Sequence, residues 1–576
     1  MRYQVIATDY DGTIATHGVV DHDTIDALER LRKSGRQIVL VTGRELEDLL
    51  RIFPRAELFD RIVAENGAIV YNPSDRRVTQ LGEPPPLALV DALRTRGVEP
   101  LSVGHVILSS WEPNEAAVLD EIRKLGLELQ VIFNKGAVMV LPAGVNKASG
   151  LDAALGQLSL SRHNAVGVGD AENDHAFLKT CECAVAVANA LPTVKEHADI
   201  VTHGERGAGV IELIDRVLAS DLADVIPIPE RHLLTIGETQ AGERLGAPVY
   251  GNTVMISGSS GSGKSTLATA LLEQLAARNH QFCLIDPEGD FSALESAIVL
   301  GDAQRAPSAT EMLDVLAHPQ RNLVVCLLGL PLDDRPPYFQ ELLSHLMAFR
   351  GRVARPHWLV LDEAHHLLPA TWTPADGNVP ALETALLITV HPEQVAQSVL
   401  AQVDLLVAVG AAAGESVDAF AGAVGKERPD RPPQNAGEAL VWQLPDRGVV
   451  AVRLEVPQGE RQRHRRKYAE GTLGPDKSFY FTGPAHRLNL RAQNLAMFTQ
   501  IADGIDDETW LHHLRRGDYS RWIRDAIKDD EMAEEVAAIE RAAQMSVPET
   551  RTAVIDAINR RYASSASTTS SGADRG

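Results

Sequence analysis

Short runs of aliphatic and β-branched residues alternate with amphipathic segments of helical length along most of this chain, the pattern of parallel sheets covered on both faces by helices. In residues 1–215 strands are predicted at Tyr3 to Ala7 and Gln37 to Val41, with an amphipathic helix from Thr24 to Lys33 between them. Pro84, Pro85 and Pro86 open an inserted segment, strand-like near Val106 and Val131 and helix-like from Ala116 to Leu125, before Ala137 to Leu141 returns to the core. This insert, about 73–143, reads as a cap. Pro227 and Pro229 lie in a linker at 216–232, and strand–helix alternation resumes over 233–456.

Beyond that point helical patterns dominate 457–562. Asp506 and Asp507 precede a helix carrying Trp510 and Leu514, and Ser546 to Glu549 precede the last helix. Residues 563–576, mostly Ser, Thr, Ala and Gly, hold too little apolar side chain to offset ordering entropy and are predicted to be disordered. The expected fold class is α/β: a Rossmann-like domain with an inserted α/β cap, a second α/β domain, then a small all-α C-terminal region.

Composition narrows the partners. The 576 residues suffice for several domains, and the net charge of -23 opposes a broad basic surface for nucleic acid or anionic lipid. Arg461 to Lys467 form a short basic run, favoured as a solvated linker or subunit contact over a phosphate site. The first strand begins almost at Met1 and no apolar run approaches the roughly 20 residues needed to span a bilayer, so a cytoplasmic protein without a membrane partner is expected. Cys181, Cys183, Cys283 and Cys326 lack metal-ligand spacing and are expected to be ordinary reduced side chains.

Two stretches carry phosphate chemistry. Asp9 and Asp11, spaced by one residue after the first strand, point the same way at the sheet's carboxyl edge. One carboxylate there can attack phosphorus while binding Mg²⁺, and the second can protonate the leaving oxygen and later activate water. Thr42 after another strand, Lys147, and Asp170 with Asn173 and Asp174 after a third supply a hydroxyl, an ammonium and further metal-ligand groups.

With these motifs, and with Glu65-Asn66-Gly67-Ala68 and Val185 to Ala190, the first 215 residues resemble the Cof-like phosphatases of the haloacid dehalogenase superfamily. The resemblance implies Asp9 as nucleophile and Asp11 as general acid/base. It further implies Thr42 on the phosphoryl oxygens, Lys147 neutralising developing charge, and Asp170 joining Asp9 and the Asp11 carbonyl on Mg²⁺. Asn173 and Asp174 complete the phosphate and metal shell. Trp111 in the insert is read either as a cap residue facing substrate or as a core aromatic.

The second stretch, Gly258 to Ser265, fits the P-loop pattern between a strand and a helix. Gly258, Gly261 and Gly263 let backbone amides approach the phosphates, Lys264 balances β/γ charge, Ser265 ligates Mg²⁺, and Thr266 continues the nucleotide-binding turn. Asp362 and Glu363 follow a strand, the first expected to hold the metal through water and the second to polarise the attacking water. With Asp286 to Phe291 and Leu361 to Pro369, residues 233–456 resemble the HerA/FtsK class of P-loop ATPases, which implies a homo-oligomer, commonly a hexameric ring that pumps DNA. The chain departs from that class in carrying a phosphatase where a small barrel is usual, and Thr389-Val390-His391 where a sensor glutamine often stands. Arg335 and Arg352 are read as solvated surface side chains ahead of arginine fingers.

The leading expectation is a Mg²⁺-dependent phosphatase of a small phosphorylated metabolite, of the sugar phosphate or phosphoglycolate type, fused to an ATPase. The alternatives are a nucleic-acid motor with an accessory phosphatase that processes phosphorylated ends or nucleotides, and an ATP-driven assembly scaffold.

Overall fold

A computed structural model of the chain describes residues 2–134, 136–225, 232–373, 381–435, 437–444, 448–454, 478–484, 488–527, 529–542 and 544–562. Pro227 and Pro229, the basic run 461–467 and the segment 563–576 lie outside the described residues. The chain divides into two compact units, Met1–Glu455 and Val456–Gly576.

Among the described residues the first unit contains three sheets. The N-terminal sheet is built from β1 (Val5–Thr8), β2 (Gln37–Val41), β3 (Arg61–Ala64), β4 (Ile69–Asn72) and β5 (Arg77–Gln80). Next in the chain comes a separate four-stranded sheet of β6 (Ser102–Val103), β7 (Leu108–Trp111), β8 (Leu129–Asn134) and β9 (Ala137–Pro142). The chain then returns to the first sheet with β10 (Ala165–Gly169), β11 (Cys183–Ala186) and β12 (Ile200–Val201), giving the order β12-β11-β10-β1-β2-β3-β4-β5. Strands β10, β1 and β2 are parallel, in a register that aligns Thr8 with both Val168 and Leu40, so the loops after all three open at one edge.

Local sequence explains the packing. The helix His22–Lys33 starts where the Asp21 carboxylate accepts the Thr24 amide, and it buries Thr24, Ala27, Leu28 and Leu31, one helical stripe, against the sheet. Burial of β1 and β10 on both faces makes them continuously apolar rather than alternating.

One sequence expectation fails here. Ala137 to Leu141 does not return to the core sheet: β9 is an inner strand of the cap, antiparallel to both β7 and β8. Its buried Val138 and Val140 pack with Leu89, Leu93 and Val118 from the cap helices, while Met139 and Leu141 on the other face join the phosphatase core. An apolar strand that serves two cores on its two faces is indistinguishable in sequence from a core strand.

The second α/β domain comprises β13 (Leu233–Thr239), β14 (Arg244–Pro248), β15 (Thr253–Ser257), β16 (Phe282–Asp286), β17 (Ala297–Leu300), β18 (Asn322–Cys326), β19 (Trp358–Leu361), β20 (Ala385–Thr389), β21 (Leu405–Ala408), β22 (Glu438–Gln443) and β23 (Val449–Leu454). Their order is β14-β13-β23-β22-β21-β15-β20-β19-β16-β18-β17, parallel from β21 to β17 and antiparallel at the other end. All four cysteines are free and buried.

The second unit is not wholly helical. A hairpin of β24 (Phe479–Phe481) and β25 (Leu490–Ala492) packs its aromatics against the helices Leu495–Gly504, Asp507–Arg515, Asp530–Glu540 and Val547–Tyr562. Phe479 and Phe481 touch Phe498 and Tyr519, and three-residue strands of this kind are too short to leave an alternation signal. Asp506 caps its helix by accepting the Thr509 amide at 2.8 Å, and Trp510 is fully buried.

Candidate active sites

At the carboxyl edge of the first sheet, Asp9 follows β1, Thr42 follows β2 and Asp170 follows β10. The helix Lys147–Gln157, capped by Asn146, brings Lys147 up from beneath, and its Nζ donates to Asp9 Oδ1 at 2.6 Å and to Asp174 Oδ1 at 2.5 Å. The other Asp174 oxygen accepts the Asp170 and Ala171 amides at 2.9 and 2.8 Å. Carboxylate oxygens of Asp9, Asp170 and Asp174 lie within 4.8 Å of one another, all three residues buried.

Burial and the nearby Asp174 push the Asp9 carboxyl up to about 7, against the pull of Lys147. For Lys147 burial disfavours the charge, but Asp174 and Asp9 outweigh it and hold the ammonium above the ordinary lysine range. Three carboxylates around one ammonium leave surplus negative charge in a dry pocket, and every donor is oxygen. That set fits a small hard cation such as Mg²⁺. Asn173 adds to the fit: its Nδ2 donates to Asn66 at 3.2 Å, while its Oδ1 is buried with no hydrogen-bond partner.

Above these residues lies a cavity of about 760 Å³, lined by Asp9, Asp11, Thr42, Arg44 and Lys147 from below and by Ser109, Ser110, Trp111 and Met139 from the cap. Trp111, about half exposed, is therefore a cap residue at the cavity and not a core aromatic.

Three contributors had motifs in the sequence but no assigned geometry. Arg44 grips both oxygens of Asp11, at 2.5 and 2.7 Å, and also pairs with Asp48 at 2.7 Å. Asn189 Nδ2 donates to the Gly12 carbonyl at 2.8 Å, bracing the turn that carries Asp11. Glu65, fully buried at φ 51°, accepts the amides of His105, Val106 and Ile107 at 2.8–2.9 Å, fastening the turn between β6 and β7 of the cap to the core. Position within the sequence signatures marked these residues, but no spacing rule assigns partners 33 to 177 residues away.

In the second domain Gly258 to Gly263 link β15 to the helix Lys264–Ala277, with Gly261 and Gly263 at φ 76° and 100°, where a side chain is strained. Lys264 is nearly buried and its Nζ donates to the Ser259 carbonyl at 3.1 Å. Ser265 and Thr266 form the helix's first turn beside it. Asp362 and Glu363 follow β19; Asp362 is buried, and burial together with Glu363 raises its carboxyl well above the usual range. Glu363 adopts φ 42°, rare for a non-glycine residue, and its buried Oε2 has no hydrogen bond, lying 3.5 Å from His365 Nδ1. His365 Nδ1 in turn meets Thr389 Oγ1 at 3.1 Å, at the end of β20 between the P-loop strand and β19. Arg335 departs from the solvated reading: it is buried and pairs with Glu288 at 2.9 Å within this chain, whereas Arg352 is exposed.

Comparisons with known proteins agree with both folds. Residues 6–83 and 108–214 match the model of the haloacid dehalogenase-like hydrolases. A phosphoglycolate phosphatase of Halorubrum lacusprofundi is 30% identical over 210 residues, 34% of this chain and 89% of that protein. The chain belongs to the haloacid dehalogenase-like hydrolases. A second relative of this hydrolase, phosphoglycolate phosphatase 2 of Saccharolobus solfataricus, is 28% identical over 235 residues, 39% of this chain and 96% of that protein. Among solved structures, a haloacid dehalogenase-like hydrolase from Bacteroides thetaiotaomicron aligns with 37% of this chain and 99% of its own, at 21% identity and TM-score 0.34. Residues 240–376 match the model of an AAA ATPase domain. The hydrolase thus carries a phosphatase domain and an ATPase domain, and no helix among the described residues is long and apolar enough to cross a membrane.

Proposed function

We propose that the hydrolase removes phosphate from a small phosphorylated metabolite through an aspartyl-phosphate on Asp9, and that its AAA domain binds and hydrolyses ATP. The observation that carries this reading is the convergence of Asp9, Lys147, Asp170 and Asp174 beneath a cavity of about 760 Å³ whose other side is lined by the cap. A cavity of that size suits a sugar phosphate or phosphoglycolate and not a duplex end, which favours the metabolite over the motor. The named phosphoglycolate phosphatases among the relatives point to the same substrate class.

In this mechanism the Asp9 carboxylate attacks phosphorus and the ester oxygen leaves with a proton from Asp11; Asp11 then takes a proton from the water that cleaves the acyl-phosphate. Lys147 and the Thr42 hydroxyl balance charge on the phosphoryl oxygens. Mg²⁺, held by Asp9, Asp170, Asp174, the Asp11 carbonyl and Asn173, would supply further charge neutralisation. Arg44 must release at least one Asp11 oxygen for proton transfer. In the ATPase domain Gly258 to Thr266 cradle the triphosphate, Ser265 and Asp362 would hold its Mg²⁺, and Glu363 orients water. We assign the phosphatase domain to about 1–215, the ATPase domain to 233–456 and the C-terminal region, helical among its described residues apart from the β24–β25 hairpin, to 457–562.

The test is phosphate release from a panel of sugar phosphates, phosphoglycolate, nucleotides and end-phosphorylated oligonucleotides, with Mg²⁺ and with chelator. Turnover of a small phosphomonoester that chelator abolishes is expected. Release confined to nucleic-acid ends would overturn the reading.

A further inference from the structure

A buried arginine of the ATPase domain reaches across the seam into the phosphatase domain. Arg355 lies between the helix Arg335–Val353 and β19, and it is only 2% exposed. Its Nη2 donates to the Ser159 carbonyl of the phosphatase domain at 3.1 Å. Its Nη1 donates within the ATPase domain, to the Leu316 carbonyl at 2.9 Å and to Gln281 Oε1 at 3.2 Å. Among the described residues these hydrogen-bond partners are uncharged oxygens, and Nε has none.

Helix ends supply what a carboxylate would. Leu316 closes the helix Ala309–Leu316, and Ser159, at φ 54°, forms the left-handed turn that ends the helix Lys147–Gln157. The guanidinium thus sits at two helix C-termini, where aligned peptide dipoles present partial negative charge. Burial lowers Arg355 only to about 10, so it is charged at neutral pH.

Both ends of this bridge lead to a reaction centre. The helix Lys147–Gln157 begins at the ammonium that holds Asp9 and Asp174, and from Arg355 the chain runs through β19 directly into Asp362 and Glu363. The helix rises roughly 16 Å and the extended chain spans about 23 Å, both as rigid elements that carry a shift imposed at one end. A second link runs beside the first: His163, just before β10 and Asp170, donates from Nε2 to the Arg278 carbonyl at 2.7 Å, at the tail of the P-loop helix. An apolar seam would join the domains at less desolvation cost, whereas a planar guanidinium bonded to three oxygens fixes one geometry. The nucleotide site also holds groups that a triphosphate must rearrange. Lys264 Nζ is spent on the Ser259 carbonyl at 3.1 Å, and Glu363, at φ 42°, keeps a buried Oε2 without a hydrogen bond.

We propose that Arg355 is a positioning residue through which nucleotide binding resets Lys147 and changes phosphatase turnover, an inference that rests on the phosphatase and ATPase reading of the two sites. Lys147 touches the nucleophile, so the effect falls on kcat more than on KM.

The experiment follows hydrolysis of p-nitrophenyl phosphate by the full chain in Mg²⁺, with and without a saturating non-hydrolysable ATP analogue. In the wild type the analogue should change kcat several-fold with a smaller change in KM, and should alter hydrogen exchange at residues 147–160. Lys264→Ala should show neither effect. Arg355→Met should bind the analogue yet lose the response, and Arg355→Lys, which can reach one carbonyl, should keep part of it. A residue that merely glued the domains would alter turnover equally with and without nucleotide. An unresponsive wild type, a response confined to KM, a response kept in Lys264→Ala or an undiminished response in Arg355→Met would each overturn the proposal. Should Arg355→Met fail to bind the analogue, a full wild-type response in Arg355→Lys overturns it instead. No hydrolysis, or hydrolysis that survives Asp9→Asn, would remove the phosphatase reading itself, and this inference with it.

Discussion

Arg44 binds both carboxylate oxygens of Asp11, so the candidate acid of the phosphatase is clasped in the structure by a guanidinium that also holds Asp48. Burial of Arg44 is partial, and the Asp11 bonds raise its basicity further, so the clasp is fully charged at any physiological pH. Arg44→Ala should free Asp11 and alter kcat by several-fold with a smaller change in KM. Steady-state kinetics check this, and a change confined to KM would show that Arg44 serves only the substrate.

Asp9→Asn should abolish phosphatase turnover, because an amide cannot form the acyl-phosphate, while ATP binding persists in the other domain. Asp11→Asn should be severely slowed through loss of proton transfer. Phosphate release measured beside ATP titration separates the two activities, and wild-type release by Asp9→Asn would remove the nucleophile assignment.

Lys264→Ala should lose tight triphosphate binding, whereas Glu363→Gln should bind ATP normally and hydrolyse it slowly, since the lysine meets ground-state phosphates and the glutamate serves the attacking water. Equal nucleotide affinity in Lys264→Ala and wild type would contradict the P-loop role.

Glu65→Ala would strand three amides, those of Val106 and Ile107 buried and that of His105 partly so. At about 1–3 kcal/mol per unsatisfied group, the urea midpoint should fall clearly, and phosphatase KM should rise as the cap loosens. An unchanged midpoint would mean the amides find other partners.

The His365 imidazole is held down to about 4, by burial first and by His366 and His391. The unfolded chain takes up this proton near 6.5, the folded chain only near 4, so the unfolded state binds more protons in between. Its contribution to stability is therefore intact above about 6.5 and is lost as pH falls towards 4. Thermal unfolding across that window should be less pH-dependent in His365→Gln, and identical slopes would show that this ring is not the source.

What the sequence revealed follows the range of its interactions. P-loop and aspartate motifs act over a few residues at strand ends, so Asp9, Lys264 and Asp362 were readable before any coordinates. Parallel sheets were readable because β1 and β15 are bounded apolar runs. The β9 strand misled because its two faces serve different cores, and Arg335 because nothing local distinguishes a buried arginine from a solvated one until Glu288 is placed beside it. The Glu65 grip on the cap joins residues 40 to 42 positions apart, which no periodicity records.

The polarity of the two domains has a consequence for traffic. The phosphatase sheet meets the ATPase domain at the amino ends of β10 and β11, and the P-loop helix meets it with its tail, so each reaction centre opens away from the shared wall. Ligands of the two candidate sites would therefore approach from separate sides. Any influence of one candidate site upon the other would then be carried through the protein between them, not through a common solvent channel.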